Sequence, residues 1–176
     1  MLRKICATVV VILASMASVA SNAQTILEPT SLNSVVYLDT TSEPKIVPLE
    51  VQTGAVVKKA RAFGFGGASV TGSVPGNTSS IQLPSGQSHI FAVRLVQGVD
   101  PSKYTLYKME PTGSSREVML SNAYVVGAEG GMGTVRYETQ QLGASSYKLV
   151  IAPNLPPGEY GFTAKDSPNV FLFSLK

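Results

Sequence analysis

The stretch SSYKLVIAPNLPPGEYGFTA, residues 145–164, contains the pattern that decides the fold. Apolar residues recur at every second position on both sides of a break: Tyr147, Leu149 and Ile151 before it, and Tyr160, Phe162 and Ala164 after it. Successive side chains of a strand point to opposite faces, so each run predicts a strand with one face in a core and the other in water. Between the runs, Pro156-Pro157-Gly158 predicts a turn.

Short runs of this kind, separated by Gly, Pro, Asn, Asp or Ser, continue through the chain. The further predicted strands are Val35 to Asp39, Val47 to Thr53, Ala68 to Val74, Ile90 to Val96, Tyr104 to Met109, Glu117 to Ser121, Val135 to Glu138 and Val170 to Leu175. The last of them is apolar on both faces, which predicts a strand covered on both sides. Beyond the N-terminal segment no sustained 3.6-residue apolar stripe occurs, and Asp100 to Lys103 predicts only a turn or a single helical turn. About ten short strands indicate an all-β sandwich or barrel.

The first 23 residues have the layout of a secretory signal peptide. Arg3 and Lys4 precede an apolar run over positions 5–17, and Ala23 fits the small-residue rule for cleavage before Gln24. The apolar run is shorter than the about 20 residues that a membrane-spanning helix needs. We therefore expect an exported protein, periplasmic or extracellular, with no transmembrane segment in the mature chain.

Loss of the leader changes the charge of the chain. Removing Arg3 and Lys4 leaves 12 of the 14 Lys and Arg residues against 11 Asp and Glu, a formal net charge of +1. A basic surface for nucleic acid is therefore not expected. Cys6, the single cysteine, leaves with the leader. A mature chain without disulfides is typical of a bacterial envelope protein rather than of a small secreted eukaryotic one.

The remaining length is that of one domain. Residues 24–33, which contain Pro29 and several polar residues, are interpreted as a flexible N-terminal arm. Residues 34–176 are interpreted as a single β-domain, because none of the turn-forming segments within them is long enough to be an interdomain linker.

Residues that could carry catalysis are sparse. His89 is the only histidine, and one histidine without cysteines does not make a typical zinc site. It is interpreted as a solvent-facing or turn residue. The Gly-x-Ser-x-Gly elbow of serine hydrolases does not occur in the sequence, and hydrolysis by paired carboxylates would need two acids that converge in a cleft. We predict no enzyme activity, no catalytic or cofactor-binding residue and no metal site.

Three local clusters have two interpretations each. Gly64-Phe65-Gly66-Gly67 and the stretch from Gly127 to Gly133 suit either binding loops or hairpin loops and bulged edges. Neither patch has the Lys and the following helix of a phosphate-binding loop. The basic cluster Lys58, Lys59 and Arg61 suits either an anionic partner or a solvated hairpin end that protects an edge. We favour the structural interpretation in all three cases.

The segment Leu155-Pro156-Pro157-Gly158-Glu159-Tyr160 resembles the turn-plus-strand signature of immunoglobulin-like and transthyretin-like bacterial sandwiches. Phe91 to Leu95, Asp100 to Tyr107 and Arg116 to Val118 also look like a pattern in uncharacterised exported bacterial proteins. The resemblance implies a single antiparallel β-sandwich, immunoglobulin-like, with Tyr160 entering the core as a tyrosine corner. The cysteine that follows in antibody domains is absent, and the resemblance transfers no catalytic residue.

The resulting hypothesis is an exported non-enzymatic cell-envelope or extracellular protein that acts by binding or assembly. Its loops or edge strands would contact an unknown protein or glycan of the envelope. Three alternatives stay open. They are a structural subunit that self-associates by strand addition, with residues 24–33 as the donor arm, a small hydrolase, and an eight-stranded outer-membrane barrel.

Overall fold

A computed structural model describes residues 27–60, 68–122, 133–165 and 167–176. The predicted signal peptide, positions 24–26 of the arm, Arg61 and both glycine-rich patches except Gly133 lie outside the described residues. The described parts contain fourteen strands, one 3-10 turn and no α-helix. The prediction of an all-β fold is confirmed.

The strands are short and follow one another closely along the chain. In order they are β1 (Val35–Asp39), β2 (Lys45–Pro48), β3 (Glu50–Thr53), β4 (Ala55–Ala60), β5 (Ala68–Pro75), β6 (Gln82–Leu83), β7 (His89–Arg94), β8 (Tyr104–Thr112), β9 (Ser115–Asn122), β10 (Thr134–Val135), β11 (Glu138–Gln141), β12 (Ser146–Ile151), β13 (Gly158–Ala164) and β14 (Asn169–Leu175). The 3-10 turn Pro101–Lys103 precedes β8, and Asp100 caps it by accepting a 2.7 Å hydrogen bond from the Ser102 N–H. The predicted single turn at this position is confirmed.

Two predicted strands are divided, and each division is a crossing between sheets. The prediction of one strand over Val47 to Thr53 was wrong, because β2 ends at Pro48 and β3 begins at Glu50 in the other sheet. Pro48 has no N–H to extend a ladder, and the buried side chain of Leu49 marks the crossing. The run Val135 to Glu138 is likewise divided, since β10 pairs with β8 and β11 pairs with β12.

The strands form two sheets. The first has the order β11-β12-β7-β1-β2 and is antiparallel throughout. The second has the order β3-β14-β13-β8-β9-β5-β4, with β10 beside β8 and β6 parallel to β14. β3 and β4 lie at opposite ends of this order, yet only Gly54 separates them in the chain. The second sheet therefore curls until it is nearly closed, and we call it the curved sheet.

The main core lies between the convex side of the curved sheet and the first sheet. The ring of Phe91, from β7, lies 5.2 Å from that of Phe162 and 4.7 Å from that of Phe173. Tyr160 is fully buried, stacks on Phe173 and donates a 2.7 Å hydrogen bond to the carbonyl oxygen of Pro156. This is the bond expected of a tyrosine corner. Of the six core positions predicted within residues 145–164, Leu149, Ile151, Tyr160 and Phe162 have no exposed surface. The other two, Tyr147 and Ala164, are partly buried and pack against this core.

β14 is covered on both sides, as its sequence predicts. Phe171, Phe173 and Leu175 join the main core. Leu172 packs in a second cluster with Val74, Met109 and Val118 on the concave side of the curved sheet. The strand is central, with β13 on one edge and β3 and β6 on the other.

The described part of the N-terminal arm contacts the first sheet. Leu27 packs against the cluster around Val36 on its outer face. The Ser146 hydroxyl donates a 2.8 Å hydrogen bond to the Glu28 carboxylate, and the Asn33 N–H donates a 2.7 Å bond to the carbonyl oxygen of Arg94. Residues 27–33 therefore pair with and pack on their own chain.

Candidate functional site

The concave side of the curved sheet borders a cavity of about 360 Å3. Its lining is mainly aliphatic, and the apolar side chains that define it are Val56, Val74, Met109, Val118, Leu120 and Val170. None of the described residues that line it is charged. The side chain of Val56 is 62% exposed, so this part of the lining is accessible from solvent.

Strand alternation explains why the concave face of the curved sheet is apolar at one end, where it borders the cavity, and polar at the other. Three strands of the curved sheet each place a polar residue and then more apolar or smaller residues on the concave face: Arg116, Val118 and Leu120 on β9, Glu159, Gly161 and Thr163 on β13, and Ser174, Leu172 and Val170 on β14. The register aligns Glu159 with Met109 and with Ser174. The polar residues therefore meet at one end of the curved sheet, next to the apolar lining.

Part of the cavity wall is formed by glycines, which have no side chain. Gly54, Gly72 and Gly161 all line it. A Cβ at Gly161 would lie 2.8 Å from Val170 Cγ1 and 3.0 Å from Leu172 Cδ2, and a Cβ at Gly72 would lie 3.3 Å from Leu120 Cδ1. Even one added carbon at Gly161 would force its neighbours to move. The close approach of the β14 side chains to the backbone of β13 therefore requires glycine at this position.

Arg116 is the centre of the polar end and is fully buried. Its Nη2 lies 2.7 Å from Glu50 Oε1, and its Nη1 lies 3.3 Å from Glu159 Oε2. Nε donates a 3.0 Å hydrogen bond to the Gly76 carbonyl oxygen, and Nη2 donates a 3.1 Å bond to that of Pro75. The guanidinium thus joins β3, β9 and β13 to the turn after β5.

The two carboxylates hold the segment that follows this turn. Glu159 accepts hydrogen bonds from the Ser174 hydroxyl at 2.6 Å, the Thr78 hydroxyl at 3.0 Å and the Ser79 N–H at 2.8 Å. Glu50 accepts a 2.8 Å bond from the Ser80 N–H. In the described part of the chain, every buried side-chain nitrogen or oxygen has a hydrogen-bond partner. The network closes this end of the curved sheet without an unpaired polar atom.

The electrostatics of Glu50 reflect two opposed effects. Its partial burial alone would raise the pKa of the carboxyl group, but the hydrogen bonds from Arg116 and from the Ser80 N–H favour the charged form. The net result of burial and hydrogen bonding is that the pKa of Glu50 lies below its ordinary value. With one guanidinium between two carboxylates, the cluster of Glu50, Arg116 and Glu159 carries a formal charge of −1 when all three groups are ionised.

Sequence reasoning missed this cluster. The interpretation of Glu159 as part of a water-facing side of its strand was wrong, because the second face of β13 points into the concavity of the curved sheet. Glu50 and Glu159 do converge, but both are engaged by Arg116 and neither lines the cavity. Their geometry is that of a structural network rather than of an acid and base facing a substrate.

His89 is buried, so its interpretation as a solvent-facing residue was wrong. Its Nε2 lies 2.7 Å from the Pro84 carbonyl oxygen, and its Nδ1 lies 3.4 Å from the Tyr37 hydroxyl oxygen. The imidazole and the Tyr37 ring meet edge to face at 5.6 Å. The side chain thus ties the start of β7 to β1 and to the turn before it.

Two residues of the predicted basic cluster lie within the described part of the chain. Lys58 and Lys59 lie on β4, opposite Val70 and Ser69 of β5. Within the residues that the structure describes, no group of three or more His, Cys, Asp or Glu residues could hold a metal ion, and no helix has the length and apolar character to cross a membrane.

No family model, no curated protein and no solved structure matches the chain.

Proposed function

We propose that this chain is an exported, non-enzymatic binding protein of the cell envelope or extracellular space, and that it holds a small apolar molecule in the cavity of the curved sheet. The observation that carries the proposal is the cavity itself, of about 360 Å3, with an aliphatic lining and the accessible side chain of Val56. Its volume falls within the usual range for ligand pockets. The signal-peptide pattern of the first 23 residues supports export.

The lining selects the class of ligand. An apolar cavity of about 150 Å3 already accepts benzene, so this larger one suits a two-ring compound or a short alkyl chain. A charged ligand would lose its hydration without gaining a partner among the described lining residues. The lining has four hydroxyl-bearing residues, which suit one neutral polar group such as an alcohol or an ester. They are Ser73, Tyr107, Thr163 and Ser167.

For the scaffold we propose an immunoglobulin-like sandwich whose second sheet has curled. The core shared by the two sheets and the hydrogen bond from Tyr160 to Pro156 support this interpretation. In such a scaffold the first sheet supplies rigidity, and the concave side of the other sheet is left for binding.

Titration with a neutral fluorescent probe, N-phenylnaphthylamine, tests the proposal. The mature protein is expected to bind the probe, and a medium-chain alcohol is expected to displace it. Val118→Phe places a ring in the cavity and should weaken binding about tenfold or more, since the ligand loses the apolar contact area that the ring takes up.

Met119→Phe is the matched control, because Met119 is the next residue of β9 and does not line the cavity. It should bind the probe with the affinity of the wild type. Circular dichroism would establish that both variants are folded. Equal affinity in the wild type and both folded variants, or no probe binding at all, would contradict the proposal.

A further inference from the structure

A second concave surface lies on the other side of the β13–β14 connection and has a volume of about 570 Å3. We call it the end groove, and define it by Leu32, Val51, Val96, Phe171, Lys103 and Lys165. Leu32, Val51 and Val96 are 54%, 49% and 50% exposed, and they are three of the five large hydrophobic residues that are exposed in the described part of the chain. Clustering of exposed apolar side chains in one concavity marks a contact surface.

The described residues that line the end groove carry charges of one sign. Lys103 and Lys165 are the only charged residues among the described residues that line it. The Lys165 N–H donates a 2.9 Å hydrogen bond to the Lys103 carbonyl oxygen, so the two side chains leave the backbone at neighbouring points. The described residues form no ion pair with either lysine. Asp100, near Lys103, uses its carboxylate to cap the 3-10 turn.

We propose that the end groove binds a free single-chain amphiphile with an anionic head, of the fatty-acid carboxylate class. The alkyl chain would cover Leu32, Val51 and Val96, and the head would lie between the ammonium groups of Lys103 and Lys165. This pairing of an exposed apolar floor with two cations distinguishes the end groove from the uncharged cavity of the curved sheet. The inference does not depend on the function proposed for that cavity.

The two parts of the ligand make separate contributions to affinity. Lengthening the chain from octanoate to decanoate should strengthen binding roughly tenfold, because two more methylene groups leave water. With the cavity of the curved sheet blocked by Val118→Phe, replacing decanoate by decanol should weaken binding about fivefold, as expected for loss of solvent-exposed ion pairs. Added salt should weaken the binding of decanoate and leave that of decanol unchanged, since only the former depends on screened charges.

Calorimetric titration of the mature protein with decanoate, below the concentration at which it aggregates, tests the inference. The double variant Lys103→Gln/Lys165→Gln should bind decanoate about fivefold to tenfold more weakly and decanol unchanged. Lys148→Gln, on β12 and away from the groove, is the control for loss of a lysine elsewhere and should behave as the wild type. Val96→Ser should weaken both ligands, whereas Met119→Ser, at an exposed methionine outside both the groove and the cavity of the curved sheet, should weaken neither.

Three results would overturn the inference. The first is decanoate affinity that the lysine and Val96 variants leave unchanged. The second is loss of decanoate binding in Val118→Phe, which would place the ligand in the cavity of the curved sheet. The third is binding to phosphatidylglycerol vesicles without binding to free decanoate, which would make this surface a membrane contact. The probe titration that tests the other cavity is unaffected by any of these outcomes.

Discussion

Arg116 Nη1 and Glu159 Oε2 lie 3.3 Å apart at the polar end of the curved sheet, with the guanidinium fully buried and the carboxylate nearly so. Glu50 binds the other side of the same guanidinium at 2.7 Å. The three residues come from three strands, so the cluster links parts of the chain that are far apart in sequence. Loss of Arg116 would leave both carboxylates without a compensating charge.

Arg116→Met should therefore be strongly destabilising. Removing the guanidinium leaves Glu50 and Glu159 facing each other and deprives the carbonyl oxygens of Pro75 and Gly76 of their donors. We expect a loss of about 3–5 kcal/mol in the free energy of unfolding, measured by urea denaturation. Arg94→Met is the control, since Arg94 is exposed, and its effect should stay within about 0.5 kcal/mol. Equal losses in the two variants would contradict this account of the cluster.

Acid should weaken the same cluster through Glu50. Its pKa is held below the ordinary value of 4.5, so its contribution to stability is fully present above that pH and is lost as the pH falls through the lower folded-state pKa. Glu50→Gln cannot titrate, and its free energy of unfolding should decline less steeply below pH 4.5 than that of the wild type. Glu138→Gln, at an exposed position of β11, should keep the wild-type slope. A Glu50→Gln slope equal to that of the wild type would show that Glu50 does not couple folding to pH.

Tyr137 should limit stability at alkaline pH. Burial, with smaller effects from Asp100 and Tyr104, raises the pKa of its hydroxyl from 10.0 to about 12. The neutral hydroxyl donates a 2.6 Å hydrogen bond to the Tyr104 carbonyl oxygen, which a tyrosinate cannot do. Its contribution is thus fully present below pH 10.0 and is lost as the pH rises towards about 12. Thermal melts across this range should show a shallower decline in Tyr137→Phe, and an unchanged decline would refute the assignment.

Gly161→Ala should destabilise the wall of the cavity. The added Cβ would meet Val170 Cγ1 at 2.8 Å and Leu172 Cδ2 at 3.0 Å, and we expect a cost of about 1–3 kcal/mol from overpacking. Gly72→Ala is the matched control, because the Cβ added there would lie 3.3 Å from its nearest neighbour, Leu120 Cδ1. It should cost less in urea denaturation. A larger loss for Gly72→Ala than for Gly161→Ala would contradict the geometry of the wall.

Local periodicity predicted much of the fold because burial acts on alternate residues. β1 was predicted with its observed bounds, and the strands on either side of Pro156 have their large apolar residues in the main core. The division at Leu49 was not predicted, because which sheet a strand joins depends on partners far along the chain. β4 was missed for a different reason, because two adjacent lysines interrupt its apolar pattern. Its sequence contains Lys58 and Lys59, and its pairing with β5 is what curls the sheet.

The candidate site was not predictable from sequence spacing. Arg116 lies 66 residues from Glu50 and 43 from Glu159, and no local pattern relates them. One signal was present, namely that Glu159 shares its strand face with Gly161. A glycine in mid-strand indicates close approach by other side chains, which is hard to reconcile with a water-facing side. His89 gave no comparable signal, since its burial depends on Tyr37 and Pro84.

The most direct test of the central claim is methyl NMR of the mature protein titrated with N-phenylnaphthylamine. If the cavity of the curved sheet holds the probe, the methyl signals of Met109, Val118 and Val170 should shift with occupancy. Those of Val36 and Leu38, on the outer face of the first sheet, should stay in place. Shifts confined to residues outside the cavity, or no shifts at probe concentrations that saturate fluorescence, would contradict the account.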